Sequence, residues 1–96
     1  MLKDKVVVIT GGAGRIGSEF AKSVIENSGI AIIADINEDF ANKTIERISK
    51  ELEEKNCDIS SKILFFNLDI SSIKSIENLI QNLNEKFGRI DALVNN

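Results

Sequence analysis

The sequence contains no histidine, no tyrosine and no proline, and it has one cysteine. Because zinc and other transition-metal sites need clusters of histidine or cysteine ligands, no metal site is expected. Cys57 has no mate for an intrachain disulfide and no neighbouring base or cation cluster, which predicts an unreactive thiol in a reducing cytoplasm. Without tyrosine or histidine, much of any acid-base chemistry must lie outside this chain, and no catalytic residue is predicted within it.

Strong positive charge and long apolar segments are also missing. The formal net charge of the 96 residues is -3, so neither nucleic acid nor an anionic membrane is favoured as a partner. The apolar run near the N-terminus meets glycine at once and is far shorter than the ~20 residues that span a bilayer. A chain of this length is one small domain or part of a larger one, and its core alone would be marginal.

Strand and helix patterns alternate along the whole chain. Short apolar runs predict strands over 5–10, 30–35, 62–68 and 90–94, while helical periodicity predicts helices over 16–27, 38–55 and 72–87. The order β-α-β-α-β-α-β implies right-handed crossovers and an α/β, Rossmann-like, doubly wound parallel sheet of strand order 3-2-1-4. In that order the fourth strand is an open edge with little protective charge, so more strands are expected to follow it.

Two helices carry an apolar row that is predicted to face the sheet, and the residues that flank the helices are suited to cap their ends. Asn37 is expected to cap the second helix and Ser71 or Ser72 the third. Gly29 and Gly88 follow the first and third helices, where a left-handed residue commonly ends a helix. The rows consist of Ala41, Ile45, Ile48 and Leu52 on the second helix, and of Ile73, Ile76, Ile80, Leu83 and Phe87 on the third.

Three glycines follow the first strand directly and open the next helix. Gly11, Gly14 and Gly17 let the backbone turn tightly and approach a pyrophosphate, which the free N–H groups and the dipole of the helix stabilise. A glycine turn alone is weak evidence, because it also occurs as a simple tight connection. Here it lies between a strand and a helix in a unit of about thirty residues, which favours a dinucleotide site.

An acidic residue ends the second predicted strand. Asp35 follows Gly11 at close to the ~20-residue separation of the dinucleotide fingerprint, and its carboxylate can accept hydrogen bonds from a ribose diol while repelling a 2′-phosphate. NAD is therefore preferred to NADP. Arg15 argues the other way, because a guanidinium near the loop can bind an extra phosphate. The alternative for Asp35 is an acid that merely flanks a helix.

With these residues the chain resembles the short-chain dehydrogenase/reductase family, and its first 43 residues resemble a narrower bacterial group of such oxidoreductases. Four elements carry the resemblance, and they recur in order: residues 10–17 (TGGAGRIG), Asp35, residues 68–70 (LDI) and the closing pair 95–96. Family members usually show TGxxxGxG, whereas this chain fits TGxxGxxG, a spacing seen in extended and atypical branches.

The resemblance implies roles for these positions. Asp69 would accept a hydrogen bond from the adenine amino group beside the Ile70 backbone; the alternative is an acid that only serves the dipole of the next helix. Asn95 and Asn96 resemble the start of an NNAG motif that holds the central sheet and touches the adenosine ribose. Gly11, Arg15, Ile16 and Gly17 would line the pyrophosphate loop, with Gly14 allowing close packing and Thr10 helping to hold the loop.

The function implied by the resemblance is hydride transfer between NAD and an alcohol or carbonyl substrate by a cytoplasmic, homo-oligomeric parent protein. The family's serine and YxxxK set lies beyond NNAG, so this chain supplies the cofactor-binding part and a small-molecule substrate would be bound elsewhere. Three alternatives stay open. They are an NAD-using sugar-nucleotide epimerase or dehydratase of the extended branch, a non-catalytic NAD-binding module, and a structural fragment without a ligand.

Overall fold

The structure is a computed structural model that describes residues 2–11, 13–55 and 62–95; the predictions for Cys57 and Asn96 lie outside the described residues. No helix within these ranges is long and apolar enough to cross a membrane. The elements, in chain order, are β1 (Val6–Thr10), α1 (Arg15–Glu26), β2 (Ile30–Asp35), α2 (Glu38–Glu53), β3 (Ile63–Asn67), α3 (Ile73–Phe87) and β4 (Ala92–Asn95).

The four strands form one parallel sheet of order β3-β2-β1-β4, which confirms the predicted α/β fold and strand order. In the register, Val6 lies beside Ile30 and Val7 beside Ala92. Element bounds agree with the sequence prediction to within one or two residues. Parallel pairing brings the carboxyl ends of β1, β2 and β3 to one edge of the sheet, where ligands of such folds bind.

The central strands are buried on both faces, as their unbroken apolar runs predict. Val7 and Ile9 of β1 pack into a cluster with α1 and α2, whereas Val6 and Val8 pack on the other side with α3. Successive strand residues point to opposite faces, so each face of the sheet receives every second side chain. The predicted apolar row of α2 is confirmed, with Ala41, Ile48 and Leu52 fully buried and Ile45 half-buried.

The predicted apolar row of α3 is partly wrong. Leu79 and Leu83 form its buried face, while Ile73 is 76% exposed and Ile80 51% exposed. Ile76 and Ile80 border a groove that runs between α3 and the β1–β4 half of the sheet. Because no other described element packs over this groove, Ile76 and Ile80 stay in contact with solvent.

The helix ends confirm most of the predicted caps. Asn37 Oδ1 accepts from the N–H of Phe40 at 3.0 Å, and Ser72 Oγ accepts from the N–H of Ser75 at 3.2 Å. Gly88 ends α3 in the left-handed conformation, at φ 71°. At the end of α1, however, Ser28 takes the left-handed conformation that was predicted for Gly29.

Gly29 has a different requirement. A Cβ atom there would lie 2.8 Å from Val24 Cγ1 and 3.2 Å from Leu2 Cβ. Space, rather than backbone angle, therefore favours glycine where the chain passes from α1 into β2.

Candidate cofactor site

A cavity of about 170 Å³ lies at the carboxyl edge of the sheet, between the loops that follow β1, β2 and β3. Four residues predicted from distant parts of the sequence meet there, because parallel strands deliver their C-terminal loops to the same edge. Ala34 and Ile36 were not predicted from the sequence. Ile36 could have been identified, because it directly follows the acid that ends β2. The described lining residues are Gly11, Ala34, Asp35, Ile36, Leu68, Asp69 and Ile70.

Backbone N–H groups from two loops hold the Asp35 carboxylate in place. Oδ1 accepts from the N–H of Asn37 at 3.1 Å, and Oδ2 accepts from the N–H of Ala13 at 3.4 Å. An ionised carboxylate has about four acceptor positions, so both oxygens keep capacity for further donors. The arrangement suits a pair of vicinal hydroxyl groups, which present two donors side by side.

The residues that follow Asp69 orient its carboxylate. Its Oδ1 accepts from the N–H of Ser71 at 3.0 Å and from the Ser71 hydroxyl at 2.6 Å. These hydrogen bonds, that of the hydroxyl first, lower the pKa of the Asp69 carboxyl from its ordinary value and thereby stabilise its anionic form. Neither bond uses Oδ2. The N–H of Asp69 itself donates to Ser75 Oγ at 2.9 Å, which fastens the loop to α3.

Two exposed isoleucines border the same cavity. The side chain of Ile36 is 63% exposed and that of Ile70 is 71% exposed, while Leu68 between β3 and Asp69 is buried. Large apolar side chains exposed beside convergent polar groups are typical of a site that takes a ligand with an apolar surface. The cavity thus offers apolar contacts and two carboxylates together.

The glycine loop turns back on itself before α1 begins. Gly11 has φ 64°, a backbone conformation that residues other than glycine rarely adopt, and its N–H donates to the carbonyl of Ala34 at 2.9 Å. Gly14 donates its N–H to the Gly11 carbonyl at 3.1 Å. Helix α1 then starts at Arg15 without a side-chain cap and without an acid in its first turn. Its N-terminus therefore remains suited to an anionic group.

Other residues of the predicted pattern lie around this loop. Ile16 is 65% exposed in the first turn of α1, whereas Gly17 in the same turn is buried. On the opposite side, the Thr10 hydroxyl donates toward the Val94 carbonyl at 3.3 Å and Asn95 Oδ1 at 3.2 Å. Thr10 and Asn95 thereby join β1 and β4 at the carboxyl edge.

The structure does not bring Arg15 to the cavity. Arg15 instead borders a second pocket, of about 430 Å³, between the start of α1 and the outer side of α2. Lys43 and Arg47 line the same pocket and were not singled out from the sequence. They could have been predicted as neighbours, because residues four apart on one helix lie on the same face.

Comparison with known proteins agrees with this geometry. The family model described as short chain dehydrogenase matches residues 5–96. Post-translational flagellin modification protein A of Campylobacter coli is 37% identical over 95 residues, which are 99% of this chain and 34% of that protein. The NADP-dependent 3-hydroxy acid dehydrogenase of Schizosaccharomyces pombe is 35% identical over 95 residues, again 99% of this chain and 34% of the relative.

The structure of menthone neomenthol reductase from Mentha piperita superposes with a TM-score of 0.87 at 29% identity, over 97% of this chain and 31% of that one. The chain therefore spans about a third of the length of the proteins it matches. The family match covers every described element from β1 to β4 and spans the glycine loop and both acids. This chain belongs to the short chain dehydrogenase family.

Proposed function

We propose that the protein containing this chain is an NAD-dependent oxidoreductase that transfers hydride between the nicotinamide and an alcohol or carbonyl group of a small molecule. The observation that carries the proposal is the meeting of Gly11, Asp35, Asp69 and Ile70 around one cavity at the carboxyl edge of the sheet. The family match supports an oxidoreductase. When bound, the nicotinamide cofactor supplies the hydride chemistry, while the protein binds and orients it.

The residues present fit the adenosine half of such a cofactor. The Asp35 carboxylate would accept from the ribose diol, and Asp69 would accept from the adenine amino group. Ile36 and Ile70 would cover the faces of the adenine ring, which are apolar. The uncapped start of α1, with Ile16 and Gly17 in its first turn, would receive the pyrophosphate.

NAD is proposed over NADP because of charge. A ribose 2′-phosphate beside the Asp35 carboxylate would place two anions together, which low-dielectric surroundings make unfavourable. One relative is itself named as NADP-dependent, so the test measures both cofactors.

The proton-handling groups of the reaction would come from a part of the protein that this chain does not span. The sequence has no tyrosine and no histidine, and it covers about a third of its relatives. We propose that these 96 residues bind cofactor without turnover. The parent protein is proposed to be cytoplasmic and homo-oligomeric.

A second candidate rests on the TGxxGxxG spacing of residues 10–17. It is a sugar-nucleotide epimerase or dehydratase that keeps NAD bound and regenerates it in each turnover. Purified protein that carries NAD in stoichiometric amount, and acts without added cofactor, would favour this candidate over the dehydrogenase.

The test is the affinity of the intact gene product for NAD⁺ and NADP⁺, measured by calorimetry, in the wild type and in Asp35→Ala. Loss of hydrogen bonds to a charged acceptor is worth about 1.5 to 3 kcal/mol, so NAD⁺ affinity should fall at least tenfold and the preference over NADP⁺ should narrow. Asp39→Ala is the matched control, because Asp39 is an exposed acid in the first turn of α2 that does not line the cavity. Equal NAD⁺ affinity in the two variants would refute the assignment of Asp35.

A further inference from the structure

The buried polar side chains in the part of the chain that the structure describes are those of Ser18 and Thr44. A buried hydroxyl group costs free energy unless it is hydrogen-bonded. Both hydroxyls find their acceptors where the glycine loop enters α1. Ser18 donates to the Arg15 carbonyl at 2.8 Å, and Thr44 donates to the Ala13 carbonyl at 2.9 Å. Ser18 belongs to α1 itself, whereas Thr44 reaches the loop from another helix.

The contact of Thr44 with the loop is fixed by the core. Thr44 lies 31 positions from Ala13 in the sequence, and the two residues are 5% and 2% exposed. Ala41 and Ile48, which lie three positions before and four positions after Thr44 on the same face of α2, are fully buried. The packing of α2 on the sheet therefore sets the position of the hydroxyl group, and a buried carbonyl of the loop receives its donor from there.

The peptide group that Thr44 contacts closes the glycine turn. The Ala13 carbonyl and the Gly14 N–H belong to one planar group, and that N–H donates to the Gly11 carbonyl at 3.1 Å. The carbonyl of Gly14 then accepts from the N–H of Ser18 at 2.8 Å, which begins the hydrogen bonding of α1. Because one edge of the group is held by Thr44 and the other by Gly11, its orientation is fixed, and so is the direction in which α1 starts.

Thr44 does not itself belong to the cofactor cavity. Among the described residues, those that line the cavity do not include Thr44 or Ala13. The N–H of Ala13, which faces Asp35 Oδ2 at 3.4 Å, is part of the preceding peptide group. Thr44 holds the following group, so its effect is expected at the glycine turn rather than at the acid proposed for the ribose.

We propose that Thr44 is a positioning residue that holds the glycine turn in the shape that receives the pyrophosphate of the cofactor; the proposal rests on the function proposed above. A turn that is already fixed loses less conformational freedom when a ligand binds, which strengthens binding without a direct contact. The start of α1 has no side-chain cap, and its N–H groups keep their direction because the peptide group before them is held.

The experiment compares two substitutions of Thr44 in the intact gene product. Thr44→Val keeps the shape of the side chain and removes the hydroxyl group, whereas Thr44→Ser keeps the hydroxyl group and removes a buried methyl group. Ile48→Val is the matched control, because it removes one buried carbon atom on the same face of α2 and Ile48 does not line the cavity. Thermal unfolding of each variant records its loss of stability separately.

Binding is measured for three ligands of increasing size. Adenosine has the ribose and no phosphate, ADP adds the diphosphate, and NAD⁺ adds the nicotinamide half. Thr44→Val should weaken ADP and NAD⁺ about three- to tenfold, as the loss of one hydrogen bond implies, and leave adenosine unchanged. Thr44→Ser and Ile48→Val should bind all three ligands like the wild type. Calorimetry measures ADP and NAD⁺, and an NMR titration measures adenosine.

Hydrogen exchange in the protein without ligand gives a second readout. In Thr44→Val the amide of Gly14 should exchange faster relative to the amides of β2, because its peptide group is held at one edge alone. Thr44→Ser and Ile48→Val should leave this ratio unchanged. If Thr44→Val does not fold, Thr44→Ala takes its place with the same expected direction, since a water molecule in the space left behind can satisfy the Ala13 carbonyl.

The proposal is overturned if Thr44→Val binds ADP and NAD⁺ like the wild type, or if Thr44→Ser or Ile48→Val weakens them equally. A loss that extends equally to adenosine would also overturn it, because the effect would then not lie at the turn. Failure of the proposed function is distinguishable, since the wild type itself would then bind neither ADP nor NAD⁺. Unchanged exchange at Gly14 in Thr44→Val would refute the role of Thr44 whether or not a cofactor binds.

Discussion

The two faces of the sheet differ in how completely they are covered. On one face, α1 and α2 enclose a continuous apolar cluster that includes Ile9, Ile33 and Ile48, all with no exposed surface. On the other face, Leu79 and Leu83 of α3 share a buried cluster with Val6, Val8 and Ile32, but β4 is left uncovered beside an apolar groove. The strands are equally apolar toward both faces, so the difference comes from the helices available to cover them.

The uncovered region is an apolar groove of about 390 Å³ beside α3. Ile90 is 41% exposed there and Leu93 is 64% exposed. Its strand β4 is joined to β1 alone, as the edge of the sheet. Stability in this chain is therefore expected to be concentrated on the α1–α2 face, with local opening favoured at β4. Lining the groove are Val8, Thr10, Leu68, Ile70, Ile76, Leu79, Ile80, Leu83, Ile90, Leu93 and Asn95.

The largest expected effect is a cavity on the closed face. Ile48→Ala should lower the free energy of unfolding by about 2 to 5 kcal/mol, because a fully buried side chain is truncated in a packed cluster. Urea unfolding of the 96-residue chain measures it. If the alanine variant does not fold, Ile48→Val provides the readout, with an expected loss of about 0.5 to 1.5 kcal/mol. A loss close to zero in the valine variant would show that this face is not tightly packed.

An intermediate effect is expected from acid at the β4 edge. Asp91 Oδ2 accepts from the N–H of Val6 at 2.7 Å and pairs with Arg89, and these contacts, that of Arg89 first, lower the pKa of the Asp91 carboxyl. A lowered pKa means that the stabilisation is complete above the ordinary value of about 3.9 and is lost as the pH falls through the folded-state pKa. Below that ordinary value, amide protons of β4 should exchange faster relative to those of α2, as followed by NMR hydrogen exchange.

Asp91→Asn is the control for the acid effect. The variant cannot ionise at this position, so the exchange rate of β4 relative to that of α2 should vary less with pH. Exchange around Ile48 should stay as in the wild type. The sequence has no histidine, so carboxyl groups are the side chains that titrate in this range. An unchanged pH profile in the variant would contradict the role given to Asp91.

The smallest effect is expected on the open face. Ile80→Ala should change the unfolding free energy of the 96-residue chain by less than about 0.5 kcal/mol, since its side chain is half-exposed and alanine favours helix. The same substitution in the intact gene product sharpens the comparison. A cost there of about 2 kcal/mol or more would show that another part of the protein covers the groove.

Much of the fold was predictable because local patterns and the connection rules agree. The unbroken apolar runs identify buried parallel strands, and right-handed crossovers then leave few strand orders. Asn37 and Ser72 cap their helices as predicted because capping depends on neighbours in sequence. The left-handed residue after α1 was not predictable in this way, since Ser28 adopts that conformation. Glycine is favoured at position 29 for another reason, because Leu2, distant in the sequence, lies too close for a side chain there.

In the candidate site, too, some features were predictable from the local sequence and others depended on tertiary packing. The sequence by itself determined the strands, the helices, their order and the positions of Gly11, Asp35 and Asp69 at strand ends, because these follow from periodicity and spacing. Only the tertiary structure decided that Ile36 lines the same cavity as Ile70, that Arg15 turns away toward Lys43 and Arg47, and that the row of Ile76 and Ile80 stays exposed. A side chain's surroundings depend on which elements pack across it, and that information is not local to any segment.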